Sequence, residues 1–80
     1  MASRTYTIAQ IDTAFGIDVV AIGAGMVNHL KGLVIERFKA AHGNTFLFWT
    51  ADVTVVFDEN NLFQISSASL TTAQIGTAIG

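Results

Sequence analysis

The sequence predicts an α+β domain: a short helix, a long buried helix, a three-stranded antiparallel sheet and a C-terminal short helix. Three observations carry this prediction. A ten-residue phrase recurs at both ends, Thr7-Ile-Ala-Gln-Ile-Asp-Thr-Ala-Phe-Gly16 and Thr71-Thr-Ala-Gln-Ile-Gly-Thr-Ala-Ile-Gly80. Between them a stretch from Val19 to His42 is apolar at helical spacing. After Gly43 the pattern shifts to the shorter period of strands.

Each terminal phrase has the form of a capped helix. Thr7 and Thr71 stand at the N-cap, with Gln10 and Gln74 three residues on to reach back to the cap. Tyr6 and Leu70 precede the caps and are placed to staple onto Ile11 and Ile75. Gly16 and Gly80 then stop each helix, where a left-handed residue is wanted.

The long helix is expected over 19–41, capped by Asp18, stapled by Ile17 onto Ile22 and stopped by Gly43. Val19, Ile22, Met26, Leu30 and Leu33 form one stripe; Val20, Val27 and Val34 form a second. A helix apolar nearly all round is expected to be buried. Ala21, Gly25 and Gly32 make a third, small stripe where another backbone can approach. Gly23, Gly25 and Gly32 cost up to ~1 kcal/mol each against Ala, so close packing is expected to offset them. The alternative is a strand over 17–22 followed by a helix over 26–41.

Strands are expected at Thr45–Thr50, at Val53–Phe57 and at Phe63–Ser66. Asp58-Glu-Asn-Asn61 is the hairpin loop between the last two, with carboxylates placed for turn geometry. The weak Ala51-Asp52 turn leaves open one long bent strand over 45–57. Ser66-Ser-Ala-Ser69 links into the final helix. In the first strand Phe46 and Phe48 point one way, Leu47 and Trp49 the other, so one pair is expected to meet a partner.

Eighty residues make one domain, 1–80, with a modest core. There is no Cys, which removes disulfides, thiolate zinc sites and cysteine nucleophiles. Charged residues are 12% of the chain, against ~25% in ordinary soluble domains, and 51% are hydrophobic. That shortage of charge is expected to drive association with a second copy. The net charge is −2, and Arg4, Lys31, Arg37 and Lys39 are too scattered to hold a nucleic-acid backbone. Asn28, His29 and Lys31 interrupt the best apolar run, so no membrane span is expected. No signal-peptide core is visible, and a cytoplasmic or virion-associated setting is the expectation.

Asp18-Val-Val-Ala-Ile-Gly23-Ala-Gly25-Met-Val-Asn28 resembles the first strand and glycine turn of FAD- and NAD-binding Rossmann domains. In that family the glycines admit a pyrophosphate to a helix N-terminus. The resemblance implies a nucleotide site at Gly23 and Gly25, with Asp52 as the ribose acid. Asn28 replaces the third glycine, and the chain has no room for the second nucleotide-binding half.

No other motif announces chemistry. His29 and His42 are not at zinc-ligand spacing, and no metal or cofactor is expected. Asp58-Glu59 lacks the remaining features of a calcium loop, and no Ser sits in a Gly-x-Ser-x-Gly elbow. No catalytic residue is assigned. The expected function is a non-catalytic protein–protein interaction or assembly module, homo-oligomeric, with Trp49, Leu47, Gly25 and Gly32 at its interface. A small phage-type accessory or virion protein is one version of it; nucleotide binding at Gly23 and Gly25 is the alternative.

Overall fold

A computed structural model describes residues 2–43 and 49–80, with the side chains of Trp49 and Thr50 excepted. The chain runs β1 (Ala2–Thr7), α1 (Ile8–Phe15), α2 (Val19–Ile22), a 3-10 turn (Gly23–Gly25) and α3 (Met26–His42). It continues through α4 (Trp49–Asp52), β2 (Val53–Phe57), β3 (Leu62–Ser67) and α5 (Thr72–Ile79). The α+β class, the three-stranded antiparallel sheet, the long helical stretch and the short C-terminal helix all stand.

The sheet has the order β1-β3-β2, with both pairings antiparallel. Its first strand comes from the N-terminal segment, where none was expected. Of the strand expected over 45–50, residues 45–48 lie outside the described residues, and Trp49 and Thr50 open α4 instead. Pairing brings Ala2, Arg4 and Tyr6 opposite Ser67, Ile65 and Phe63, and these opposite Val53, Val55 and Phe57. Directly opposed residues share a face. On this face Tyr6, Phe63, Ile65, Val53 and Val55 are buried, and the Phe57 and Phe63 rings lie 4.6 Å apart. The other face carries Thr5, Thr7, Gln64, Thr54 and Val56, which are exposed, with Ser3 and Leu62 half-buried and Ser66 buried. The period-two pattern thus sorts the sheet into a mainly buried apolar side, with Arg4 exposed on it, and a mainly exposed, uncharged side.

Helices cover the buried side: α3 packs on β2, α5 on β1, and the two helices on each other. Leu30, Val34 and Phe38 of α3 and Ile75, Ala78 and Ile79 of α5 enter one core with Ile11 and Val19. The folded chain exposes 4536 Å², close to the roughly 4,650 Å² expected of a monomer of its mass.

The hairpin between β2 and β3 forms as its composition predicts. Asp58 Oδ1 accepts from the backbone N–H of Asn60 at 2.8 Å and of Leu62 at 3.1 Å, an Asx arrangement. Asn61 takes the left-handed conformation, φ 62°, that Asn tolerates.

The long helix differs from its expected form in three ways. Gly23 adopts φ 80°, ψ −138°, which only glycine holds without strain, so the helix breaks there. Residues 19–22 are nonetheless helical, which overturns the strand alternative. Asp18 makes no side-chain cap; Asp12 in α1 accepts the Val19 N–H at 2.9 Å instead. Finally, α3 buries one stripe, Leu30, Val34 and Phe38, with the rest half-buried or exposed.

Candidate functional site

The surface with the most unusual chemistry is the turn joining α2 to α3. Residues 20–25, Val-Ala-Ile-Gly-Ala-Gly, are all exposed, and none carries a charge or a side-chain hydrogen-bonding group. Val20 is 55% exposed and Ile22 39%. The turn is held in place from α1. Gly16 is left-handed (φ 65°), and the carbonyl of Asp12 receives the N–H groups of Gly16 and Ile17. The Asp12 carboxylate then caps α2. Arg37 of α3 donates to the Ala14 carbonyl at 2.6 Å and lies 4.7 Å above the Phe15 ring, tying α1 to α3.

Two of the expected interface residues adjoin this run. Gly25 ends it and Gly32 follows two turns along the helix, both exposed. Among the described residues a Cβ built at either meets nothing within 4 Å, so those residues do not make the close packing expected to offset these glycines. Leu47 lies outside the described residues, as does the side chain of Trp49.

The setting of Gly23 and Gly25 also departs from the dinucleotide-binding pattern. The residues before the turn are helical, whereas that pattern needs a strand leading into the glycines. Asp52, the implied ribose acid, has another task. It is buried, accepting from Ser67 Oγ at 2.6 Å and Ser69 Oγ at 2.7 Å. Ser67 Oγ in turn accepts from the N–H groups of Ser69 and Leu70, at 3.2 and 3.1 Å. This network fastens the end of α4 to the link between β3 and α5. No histidine joins it: His29 is exposed on α3, and His42 Nε2 bonds the Gln74 carbonyl at 2.8 Å. Among the described residues no group of three or more His, Asp or Glu side chains is arranged to hold a metal ion.

Sequence reasoning missed two further features. One is the Tyr6 hydroxyl, enclosed and, among the described residues, without a hydrogen-bond partner of good geometry. Burial pushes its pKa above the ordinary tyrosine value, and the nearby Arg4 guanidinium offsets part of that rise. The other is a groove of about 390 Å³ between α1 and the last turn of α5, lined by Tyr6, Ala9, Ala14 and Ile79 among others. The stretch Val19–His42 is, by length and composition, long and apolar enough to cross a membrane, although Leu30, Val34 and Phe38 within it are in the core.

Comparison with known proteins adds no kinship: no family model, no curated protein and no solved structure matches this chain.

Proposed function

We propose that this chain is a non-catalytic assembly module that associates with copies of itself through the turn between α2 and α3. The observation that carries the reading is the exposed, uncharged run Val20–Gly25. Apolar residues scattered singly on a surface need no explanation, but a contiguous run is a contact waiting for a cover. Gly25 and Gly32 add to it by leaving the helix surface low, so a second backbone can approach closely. A second copy suits this surface because no ionic group has to be desolvated to cover the run. With a net charge of only −2, repulsion between copies is also small.

Magnitudes limit how tight the contact is. Two copies meeting about a two-fold axis would bury four branched side chains, each about half exposed beforehand. At about 1.5–3 kcal/mol for a full burial, that gives roughly 3–6 kcal/mol. Association costs about 4–15 kcal/mol in lost freedom, so this run alone supports only weak binding. On this reading α3 spends its apolar stripe on the sheet rather than on lipid, and nucleic acid is not a partner.

The test is the native mass by light scattering for wild type, Val20→Asp and Ile22→Asp across a concentration series. Both positions are exposed, so the fold should stand and association should be lost. Unchanged mass in both variants contradicts the reading. Calorimetric titration with NAD, FAD and ATP is expected to give no heat; a saturable signal would favour nucleotide binding at Gly23 and Gly25.

A further inference from the structure

We propose that the free edge of β1 binds an extended peptide strand, antiparallel, with an acidic residue opposite Arg4. The inference goes beyond the self-association proposed above and does not depend on it. Two hydrogen bonds at the ends of the β2–β3 ladder fix which way each backbone group faces. The Asp58 N–H donates to the Leu62 carbonyl at 2.9 Å, and the Ala68 N–H to the Asp52 carbonyl at 3.2 Å. Hydrogen-bonded pairs alternate along antiparallel strands, so Leu62, Gln64 and Ser66 bond β2, whereas Phe63, Ile65 and Ser67 bond β1. Their partners in β1 are Tyr6, Arg4 and Ala2. Ser3, Thr5 and Thr7 therefore turn their backbone N–H and C=O groups away from the sheet. The Thr7 N–H fits this parity, since it donates to Gln10 Oε1 and not to a strand.

The two edges of the sheet are not alike. On β2 the outward groups belong to Val53, Val55 and Phe57; Val53 is 1% exposed and Val55 8%, so that edge is closed. On β1, Thr5 is exposed and Ser3 half-buried, and no hydrogen bond among the described residues reaches their backbones from outside. The free N–H and C=O groups of these two residues bracket Arg4. Arg4 is itself exposed, donates to the Thr72 carbonyl at 3.4 Å and meets no carboxylate among the described residues. An antiparallel strand bonded to Ser3 and Thr5 sets one residue opposite Arg4 in the closer, non-hydrogen-bonded pairing, about 4.5 Å between Cα atoms. A carboxylate is attracted there and a cation repelled. A second β1 is the wrong occupant, because pairing Ser3 with Thr5 about a two-fold axis puts Arg4 opposite Arg4. Main-chain bonds give such a strand its affinity, and the residue opposite Arg4 gives it selectivity.

The test is an amide NMR titration of the full chain carrying Val20→Asp, which disables the α2–α3 turn, with two capped peptides. Val-Thr-Glu-Thr-Val sets Glu opposite Arg4 and Thr beside Ser3 and Thr5; Val-Thr-Lys-Thr-Val changes only the charge. The Glu peptide is expected to shift the Ser3 and Thr5 amide signals saturably, and the Lys peptide to bind about fivefold more weakly. Arg4→Glu should reverse that preference. Peptides that shift neither amide, or that bind equally well, overturn the proposal. Ser3 and Thr5 amides already slow to exchange in the free chain also overturn it, since the edge would be covered from within. Shifts that follow the chain's own concentration overturn it in favour of a second copy. None of these failures touches the self-association reading, whose test is the mass of the wild-type chain.

Discussion

Helices α1 and α5 share a phrase and a cap but not a fate. In α1, Thr7 Oγ1 accepts the Gln10 N–H at 3.1 Å and Gln10 Oε1 the Thr7 N–H at 2.8 Å. The corresponding distances at Thr71 and Gln74 in α5 are 3.2 and 2.8 Å. Local geometry is therefore the same. Burial is not: α1 buries only Ile11, whereas α5 buries Ile75, Ala78 and Ile79.

The difference comes from three substitutions between the phrases. Asp12 in α1 corresponds to Gly76 in α5. Asp12 turns outward to cap the next helix. Gly76 leaves room for Arg4, whose Nη1 would stand 2.7 Å from a Cβ there and which donates to the Thr72 carbonyl at 3.4 Å. Phe15 corresponds to Ile79: one lies half-buried under Arg37, the other is in the core. The third pair, Ile8 and Thr72, sets a half-buried apolar residue of α1 against an exposed polar one of α5. A shared cap thus fixes where a helix begins, while the residues at its fifth and last positions decide what it packs on.

The largest effect that separates the two helices should come from their last turns. Ile79→Ala is expected to destabilise by about 2–5 kcal/mol in urea unfolding. Phe15→Ala, although it deletes more atoms, should cost less because its ring is half-buried. Reversal of that order would mean that α1, not α5, is the better anchored helix.

Next comes the fastening of each helix. Asp52→Ala leaves the Ser67 and Ser69 hydroxyls at the entry to α5 without their acceptor, at a cost of about 1–3 kcal/mol. Asp12→Ala removes the cap of α2 and should cost about 1 kcal/mol. Chemical denaturation of the two variants side by side ranks the fastenings.

Tyr6, which leads into α1, gives a pH-dependent contrast. Its folded pKa is raised, so the unfolded chain deprotonates first, and its contribution is lost as pH climbs from about 10 through the folded value. Tyr6→Phe should gain about 1 kcal/mol by removing an enclosed hydroxyl that has no well-formed hydrogen bond among the described residues. It should also flatten the alkaline fall in stability, whereas wild type should weaken steadily there.

The smallest effect is the sharpest. Thr7→Ala and Thr71→Ala are each expected to cost about 1 kcal/mol and to agree within a few tenths. A wide disagreement would show that the caps are not equivalent despite their matching bonds.

What the sequence disclosed follows from the range of each interaction. Both capping boxes and the Asp58 hairpin were legible, because their bonds span two to four residues. Strand β1 was not. Its inner face offers Ala2, Arg4 and Tyr6, a weak apolar signal, and its partners lie far along the chain at Leu62–Ser67. Sequence proximity favours Asp18 over Asp12 as the cap of α2, because only the left-handed turn at Gly16 brings Asp12 within reach.

Of the candidate surface, the sequence marks the small residues but not the exposed branched ones. Gly25 and Gly32 stand out in the sequence as small residues on one face, and a Cβ at either would meet nothing within 4 Å among the described residues. By sequence spacing Val20 belongs to one apolar stripe with Val27 and Val34. The break at Gly23 puts it out of phase with them, and it is more than half exposed. Asp52 offered no local sign of its serine partners, which lie fifteen and seventeen residues on.

The most direct test is sedimentation equilibrium of the unmodified chain from dilute to concentrated solution. Self-association through the α2–α3 turn predicts an average mass that climbs from 8.5 kDa towards twice that value as concentration rises. A mass that holds at 8.5 kDa throughout would contradict it.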